Sequence, residues 1–217
     1  MTEKDRNIEQ QANLLEGDII KEIFKSADSI AILHQTISSP RGIYYRRRLL
    51  QLTEAKTPLL VVEKLSSEAG VQESQRHINK LLEFKLVESD KNGSYRRTGK
   101  GEKGINTLRA LETELGKEEA RKIFSSFLGP NSIRLFLRVY GTKKEIDLKK
   151  MKIKFSPTEI GKFSLFLPRT IEGIAAIDKL SNAELLTYEE NGNIYIDPKK
   201  ARGFYKYLKS LYEIITT

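Results

Sequence analysis

Residues 59–111 read LLVVEKLSSEAGVQESQRHINKLLEFKLVESDKNGSYRRTGKGEKGINTLRAL, and their pattern predicts four successive elements. The first is a helix over 59–69 that ends at Gly70, a residue typical of helix C-termini. A second helix is predicted over 72–84, because Ile78, Leu81 and Leu82 are spaced to share one face. Asn92-Gly93 between two short strand patterns predicts a hairpin over 86–98. A closing helix then runs through residue 111.

The second helix presents polar side chains on the face opposite its apolar residues. Gln, Arg and Asn can make paired hydrogen bonds to adenine and guanine edges in the major groove of DNA. The hairpin and the turn after it carry basic residues that suit phosphates. This pattern predicts DNA contacts at Gln72, Gln75, Arg76, Asn79 and Lys80 on the helix, and at Lys91, Arg96, Arg97 and Lys100 beyond it.

Two elements are predicted before this stretch. A helix over 44–55 includes Arg46, Arg47 and Arg48, which cannot all share one face, since neighbours on a helix are about 100° apart. This basic run is either a phosphate contact or a solvated surface. Thr57-Pro58 is interpreted as an N-cap followed by proline at the first position of helix 59–69.

The N-terminal segment predicts one long helix over 7–38, which Gly17 would weaken or bend. A helix of this length must bury its apolar stripe against another surface. It either docks on the body of the protein or pairs with another chain as a dimerisation arm. The stripe consists of Ile8, Ala12, Leu15, Ile19, Ile23, Ala27, Ile30, Leu33 and Ile37.

The second half repeats this plan more weakly. Helices are predicted over 130–141, 156–166, 169–180 and 198–215, with a hairpin at Asn191-Gly192, 99 positions after Asn92-Gly93. The helix before this hairpin offers bases little, and its acidic residues repel phosphate. We therefore favour an interaction or dimerisation module here, with a second DNA contact as the alternative. The residues on that helix are Glu172, Gly173, Ala175, Ala176 and Asp178.

The stretch 59–111 resembles the winged helix-turn-helix transcription regulators of the MarR and ArsR kind, in their archaeal form. The resemblance rests on Gln75-Arg76-His77-Ile78 with Leu81 and Lys85-Leu86-Val87, and on the wing end 95–101. Lys85 stands where the family pattern has glycine. The resemblance implies base contacts at Ser74, Gln75, Arg76 and Asn79, and wing contacts at Arg96 and Arg97.

These patterns together predict a mainly α fold with small β-hairpins (α+β), built as tandem winged helix-turn-helix domains behind a long N-terminal helix. The expected divisions are an N-terminal helix in 1–40, a DNA-binding domain in 41–117 and a second winged-helix-like domain in 118–217. His77, beside the apolar Ile78, is expected to be structural or a phosphate donor. Aromatic residues of the last helix are expected to pack in the core: Phe204, Tyr205, Tyr207 and Tyr212.

Composition narrows the function classes further. The chain has 217 residues and a net charge of +9, with the acidic excess confined to the first 40 residues. It lacks cysteine and has two histidines, so neither a metal nor a cofactor is expected. No catalytic grouping of side chains stands out, and we expect the protein not to be an enzyme. The polar start and the absence of a long apolar run favour the cytoplasm, at the nucleoid.

The sequence therefore predicts a sequence-specific regulator of transcription that binds double-stranded DNA. Residues 72–84 would enter the major groove, and the wing 86–98 would lie on the backbone or in the minor groove. The protein is expected to be a homodimer through the N-terminal helix, the second domain or both. Two alternatives remain, a tandem winged-helix scaffold that binds proteins and a DNA-binding protein of the replication-initiator type.

Overall fold

The computed structural model describes residues 17–38, 46, 50, 57–58, 71–142, 153–155, 171–188 and 194–217. This part of the chain is mainly helical with two small antiparallel sheets, as the α+β class predicted. In chain order the elements are α1 (17–25), α2 (Ala27–Ser38), β1 (Thr57–Pro58), α3 (Val71–Glu83), β2 (Val87–Ser89), β3 (Ser94–Arg97), α4 (Gly99–Leu115), α5 (Lys117–Ser125), α6 (Pro130–Thr142), β4 (Ile153–Phe155), α7 (Ile171–Asn182), β5 (Thr187–Tyr188), β6 (Ile194–Ile196) and α8 (Pro198–Thr216).

The first sheet has the strand order β1-β3-β2. The hairpin β2–β3 pairs Val87 with Arg97, and β1 pairs Thr57 with Tyr95 and Pro58 with Ser94. The prediction that Thr57-Pro58 starts a helix is therefore wrong. A proline is tolerated at a sheet edge, where its missing N–H removes no ladder hydrogen bond. Its pairing partners lie more than 30 residues later, so no local pattern revealed the strand.

The second half repeats this arrangement with the strand order β4-β6-β5. Lys85 and Glu184, 99 positions apart, are the described non-glycine residues with positive φ, at 54° and 52°. After each of them a leucine amide donates back into the preceding helix, Leu86 to the Leu81 carbonyl and Leu185 to the Leu180 carbonyl, both at 2.9 Å. Both helices thus end in the same left-handed cap. Glycine is the usual residue in such a cap, and Lys85 and Glu184 adopt it here.

The closing helices begin in the same way in both halves. Thr98 caps α4 by accepting from the Gly101 amide at 3.2 Å, and Asp197 caps α8 by accepting from the Lys200 amide at 2.9 Å. Thr98 and Asp197 are again 99 positions apart. The repeated spacing therefore extends from the helix before each hairpin to the helix after it.

Helices α4 and α8 pack against each other and join the two halves. A Cβ on Gly203 would lie 2.8 Å from a methyl carbon of Leu115, so only glycine permits this approach without displacing the leucine. Lys206 and Glu114 form an ion pair at 2.8 Å across the same contact. The aromatic residues of α8 were correctly predicted to lie in the core: Phe204, Tyr205 and Tyr207 are buried and Tyr212 is half-buried.

The described part of the N-terminal segment folds onto the body. Ile30, Leu33 and Ile37 of α2 are fully buried, and α2 packs against α6 and α8. Of the two alternatives for this segment, docking on the body is the one that residues 17–38 adopt. Gly17 lies within α1, and the turn is at Ser26, where backbone hydrogen bonds nevertheless continue from α1 into α2.

Helix α5 was not predicted, and an ion-pair cluster attaches it to the end of α7 and the start of α8. Lys122 contacts Glu119 at 3.2 Å and Glu184 at 2.8 Å, and Lys200 contacts both carboxylates as well. Hydrogen bonds from Lys122 and then Lys200 lower the pKa of Glu184 to about 2. The cluster holds α5, the cap of α7 and the first turn of α8 together.

Several predictions fall outside the described residues. They concern the helices over 59–69 and 156–166, the first part of the N-terminal helix, the tip of the second hairpin and most of the helix over 44–55. In the range 44–55, Arg46 and Leu50 are described and both are helical, as predicted. Leu50 is fully buried.

A buried polar group joins α2 to α8 and to the segment after α5. The Ser126 carbonyl accepts from His34 Nε2 at 3.3 Å, which leaves Nδ1 to accept from the Tyr207 hydroxyl at 2.9 Å. The Ser38 hydroxyl lies 2.9 Å from Nδ1 and donates to the His34 carbonyl at 2.6 Å. Desolvation by burial lowers the pKa of His34 to about 4, so the imidazole is neutral in the folded protein.

Two of the glycines of α4, Gly101 and Gly104, differ in the space around them, which predicts opposite effects of alanine. A Cβ at Gly101 would overlap the Leu86 carbonyl oxygen and lie 2.6 Å from Cγ of Arg97, whereas at Gly104 it would make an ordinary 3.9 Å contact with Leu50. We expect Gly101→Ala to lower the free energy of unfolding by about 1–3 kcal/mol. Gly104→Ala should raise it by up to about 1 kcal/mol, because alanine favours the helix. Urea denaturation of both variants checks this, and equal effects would contradict the packing.

The lowered pKa of His34 predicts a loss of stability in mild acid. Unfolding restores a pKa near 6.5, so below that pH the unfolded chain takes up a proton that the folded protein refuses. The contribution of His34 to the free energy of unfolding is complete above pH 6.5. It falls by roughly 3 kcal/mol as the pH drops towards 4. Chemical denaturation at pH 4.5, 5.5 and 7 measures this slope. His34→Gln should flatten it, and an unchanged slope would show that another group titrates there.

Candidate nucleic-acid interface

Helix α3 has one face in the core and one in solvent. His77, Ile78 and Leu81 are buried, and Ile78 and Leu81 are fully inaccessible. Arg76, Asn79, Lys80 and Glu83 are exposed, at the three- and four-residue steps that form one stripe on a helix. The structure therefore places three of the predicted DNA contacts, Arg76, Asn79 and Lys80, on one exposed surface.

Arg46, which was not among the named DNA contacts, hydrogen-bonds to the buried side of α3. Arg46 Nε donates to Nδ1 of His77 at 2.9 Å, and Arg46 is half-buried. His77 is therefore a hydrogen-bond acceptor in the interior, which supports the structural alternative for this residue. The sequence showed a run of three arginines but not which of them contacts α3, because Arg46 and His77 are 31 positions apart and meet only in the fold.

Lys80 has a partner on its own helix. Its ammonium lies 2.6 Å from a carboxylate oxygen of Glu83, and both side chains are about half exposed. An exposed pair at this spacing contributes only a few tenths of a kcal/mol. Exchange of the carboxylate for a phosphate oxygen would therefore cost little, and Lys80 keeps its place among the candidate contacts.

Asp90 shapes the hairpin tip. Asn92-Gly93 predicted a turn at this place. Oδ1 of Asp90 accepts from the amides of Asn92 and Ser94, both at 2.9 Å, and Gly93 has a φ of 71°. A left-handed φ at this position favours glycine. The turn leaves Lys91 exposed at the tip. A basic side chain thus projects from the end of the hairpin beside α3.

The two arginines of β3 have different surroundings. Successive residues of a strand point to opposite faces, and Tyr95 and Arg97 face the core while Arg96 is exposed. Arg97 donates from Nη1 to the Leu50 carbonyl at 3.1 Å and forms an ion pair from Nη2 with Glu102 at 2.5 Å. The structure therefore removes Arg97 from the predicted wing contacts and retains Arg96, which is paired in register with Glu88.

The remaining predicted contacts lie at the two ends of this surface. Lys100 is half-buried in the first turn of α4, two residues after the capping residue Thr98. Gln72, Ser74 and Gln75 lie in the first two turns of α3, as predicted, and their side chains fall outside the described part of the structure. Gln72 precedes Arg76 by one helical turn, so the two positions lie on the same face of α3.

The corresponding surface of the second half has different chemistry. With the 99-residue offset, Ala175 occupies the position of Arg76, Asp178 that of Asn79 and Tyr195 that of Arg96. Asp178 is exposed, and Ala175 and Tyr195 are half-buried. The second half therefore has no basic residue at these three positions. On α7, Lys179 corresponds to Lys80 and keeps the basic side chain.

The internal position of Arg97 predicts that neighbouring arginines have different effects on stability. Arg97→Ala should lower the free energy of unfolding by about 2 kcal/mol, because it leaves the buried Leu50 carbonyl without this donor. Arg96→Ala, the matched control on the exposed face, should change stability by less than about 0.5 kcal/mol. Thermal and urea denaturation compare the two. Similar losses for both variants would contradict the alternation of β3.

Comparison of the chain with protein-family models gave no match. Curated proteins and solved structures also gave no significant match. Within the described ranges, no three histidine or carboxylate side chains come together where they could hold a metal ion. Among the helices of those same ranges, none is both long and apolar enough to cross a membrane.

Proposed function

We propose that the protein is a sequence-specific regulator of transcription that binds double-stranded DNA, with α3 in the major groove and the β2–β3 hairpin on the backbone. The observation that carries this proposal is the exposed stripe of Arg76, Asn79 and Lys80 beside a hairpin that exposes Lys91 and Arg96. Arginine and asparagine are suited to base edges, whereas the basic hairpin is suited to phosphates. The cytoplasm, at the nucleoid, is the place where such an activity would act.

We further propose that the fold is a tandem winged helix-turn-helix. In support, each half has a helix before a hairpin, a closing helix after it and an earlier strand paired with the last one, in the orders β1-β3-β2 and β4-β6-β5. Arg46 and Leu50 mark a helix before β1. The helix expected over 59–69, which would complete the helix-turn-helix with α3, lies outside the described residues.

The dimensions of α3 suit the major groove. Its 13 residues correspond to a length of about 20 Å, and the groove is about 12 Å wide, enough to admit one helix. Two buried residues, Ile78 and Leu81, together with the His77–Arg46 hydrogen bond, fix the rotation of the helix about its axis. Fixed rotation is needed because base readout depends on hydrogen-bond geometry.

A protein-binding scaffold remains the second candidate, and the surface of α7 is what favours it. Asp178 is exposed there, and small residues replace the polar ones of α3. A carboxylate close to DNA is repelled by phosphates, whereas an acidic and apolar face is compatible with a protein partner. This argument applies to the second half, and the basic surface of the first half favours DNA.

The proposal predicts that Arg76 reads bases. Duplexes selected from a random pool with the full chain supply the target, and fluorescence anisotropy at fixed salt gives the dissociation constants. Arg76→Ala should weaken binding to the selected duplex by roughly 1–3 kcal/mol, about five- to 150-fold, and binding to random duplex much less. An exposed arginine outside this surface, Arg121 of α5, supplies the control, and its alanine variant should bind normally.

The hairpin provides the contrasting variant. Arg96→Ala should weaken selected and random duplexes alike and reduce the slope of log affinity against log salt by about one, because a phosphate contact releases counterions without reading sequence. Equal losses on both duplexes for Arg76→Ala would contradict base reading by α3. Failure of the pool to enrich any sequence would instead favour the scaffold.

A further inference from the structure

We propose that this chain binds DNA as a monomer, through its first half alone, at a site without two-fold symmetry. This inference rests on the proposed function and specifies the class of DNA target. Winged-helix and related proteins that bind as dimers read two half-sites, and the symmetry of the DNA then mirrors that of the protein. A chain that holds two unequal halves together internally has no such symmetry.

The first argument is that the described parts of the two surfaces expected to form a homodimer, residues 17–38 and α8, are occupied within the chain. In α2, Ile30, Leu33 and Ile37 are fully inaccessible, and the buried His34 is hydrogen-bonded to Tyr207 of α8 at 2.9 Å. The apolar stripe of this described segment is therefore covered by the body of the same molecule. Little apolar surface therefore remains on α2 for pairing with a second copy.

The closing helix of the second half is likewise covered internally. Gly203 of α8 lies so close to Leu115 of α4 that a methyl group there would displace the leucine side chain, and the ion pair between Lys206 and Glu114 borders the contact. The two halves thus pair with each other inside one chain.

The second argument is the composition of the remaining surface. Among the described residues, Ile32 and Phe127 are the large apolar side chains that are strongly exposed, at 50% and 57%. A stable interface between proteins usually covers about 800 Å² on each partner, with 20–30 residues a side. Two apolar side chains provide only a small part of such an area. The described surface is therefore poorly suited to a permanent dimer.

The third argument is the chemistry of the two equivalent faces. The second half has Ala175, Asp178 and Tyr195 where the first has Arg76, Asn79 and Arg96. Loss of the two arginines removes one base contact and one phosphate contact, and the exposed Asp178 adds repulsion from phosphate. One chain therefore brings a single reading helix to DNA. Its target is about one helical turn of duplex, roughly 10 base pairs, without a repeated half-site.

The test uses the full chain and the duplex pool described above. We expect free protein at micromolar concentration to sediment as a single 24.9 kDa chain. With a 20-base-pair duplex carrying the selected sequence, we expect one chain per duplex and a consensus without two-fold symmetry. A two-fold-symmetric consensus bound by two chains would overturn the proposal. A dimer of the free protein would also overturn the proposal. This holds equally for a dimer that the double variant Ile32→Glu with Phe127→Glu dissociates.

Matched variants separate this proposal from the proposed function. Asp178→Ala should leave the dissociation constant within twofold of the parent value, whereas Arg76→Ala weakens binding to the selected duplex by fivefold or more. A fivefold gain in affinity for Asp178→Ala, the result expected when a carboxylate is removed from beside phosphate, would place the second half on DNA and overturn the single-helix target. If no duplex sequence is enriched at all, the DNA-binding function itself fails, and the monomeric target fails with it.

Discussion

The packing of α8 against α2 and α4 is the interaction on which the rest of the structure depends. Phe204 is fully buried, its ring centroid lies 4.7 Å from that of Phe136 on α6, and Tyr205 stacks on Tyr140 of the same helix at 4.5 Å. Aromatic rings bury large apolar areas, so one helix can hold several neighbours in a single core. Gly203 of α8 also packs on Leu115 of α4, and Tyr207 hydrogen-bonds to His34 of α2, so α8 joins both halves of the chain to the N-terminal segment.

This shared core explains how two halves with the same plan can have different surfaces. The residues that position each hairpin are equivalent in both, with Leu81 and Leu86 in the first half and Leu180 and Leu185 in the second, all fully buried. The exposed residues of α3 and α7 contribute little to that core. Their identity is therefore free to follow function, because substitutions at exposed positions rarely change stability by more than about 0.5 kcal/mol.

The interior also contains polar groups whose positions depend on partners from distant elements. His34 is surrounded by Tyr207, Ser38 and the Ser126 carbonyl, and Arg97 by the Leu50 carbonyl and Glu102. Burial of such groups is costly unless their hydrogen bonds are satisfied. Each group therefore favours the one arrangement of helices that supplies its partners. His34 favours the docked position of α2, and Arg97 favours the seating of the helix containing Leu50 on the first sheet.

Much of the candidate site could be predicted because its signals are local. Helical spacing predicted α3 within a residue or two, and Asn92-Gly93 predicted the hairpin, since a left-handed turn residue strongly favours glycine. The exposure of Arg96 and the burial of Arg97 follow from strand alternation once Tyr95 is assigned to the core. The prediction of both as contacts ignored that alternation, and the contact between Arg46 and His77 had no local signal.

The sequence by itself determined both hairpins, the helices α3, α4, α6, α7 and α8 and the 99-residue repeat, because periodicity, caps and turn residues act within a few positions. Only the tertiary structure decided that Thr57–Pro58 is an edge strand, that α2 is covered by α6 and α8, and that α5 belongs to the ion-pair cluster. These outcomes depend on which distant surfaces meet. An apolar stripe records that a helix must be covered, but it contains no information about which surface covers it.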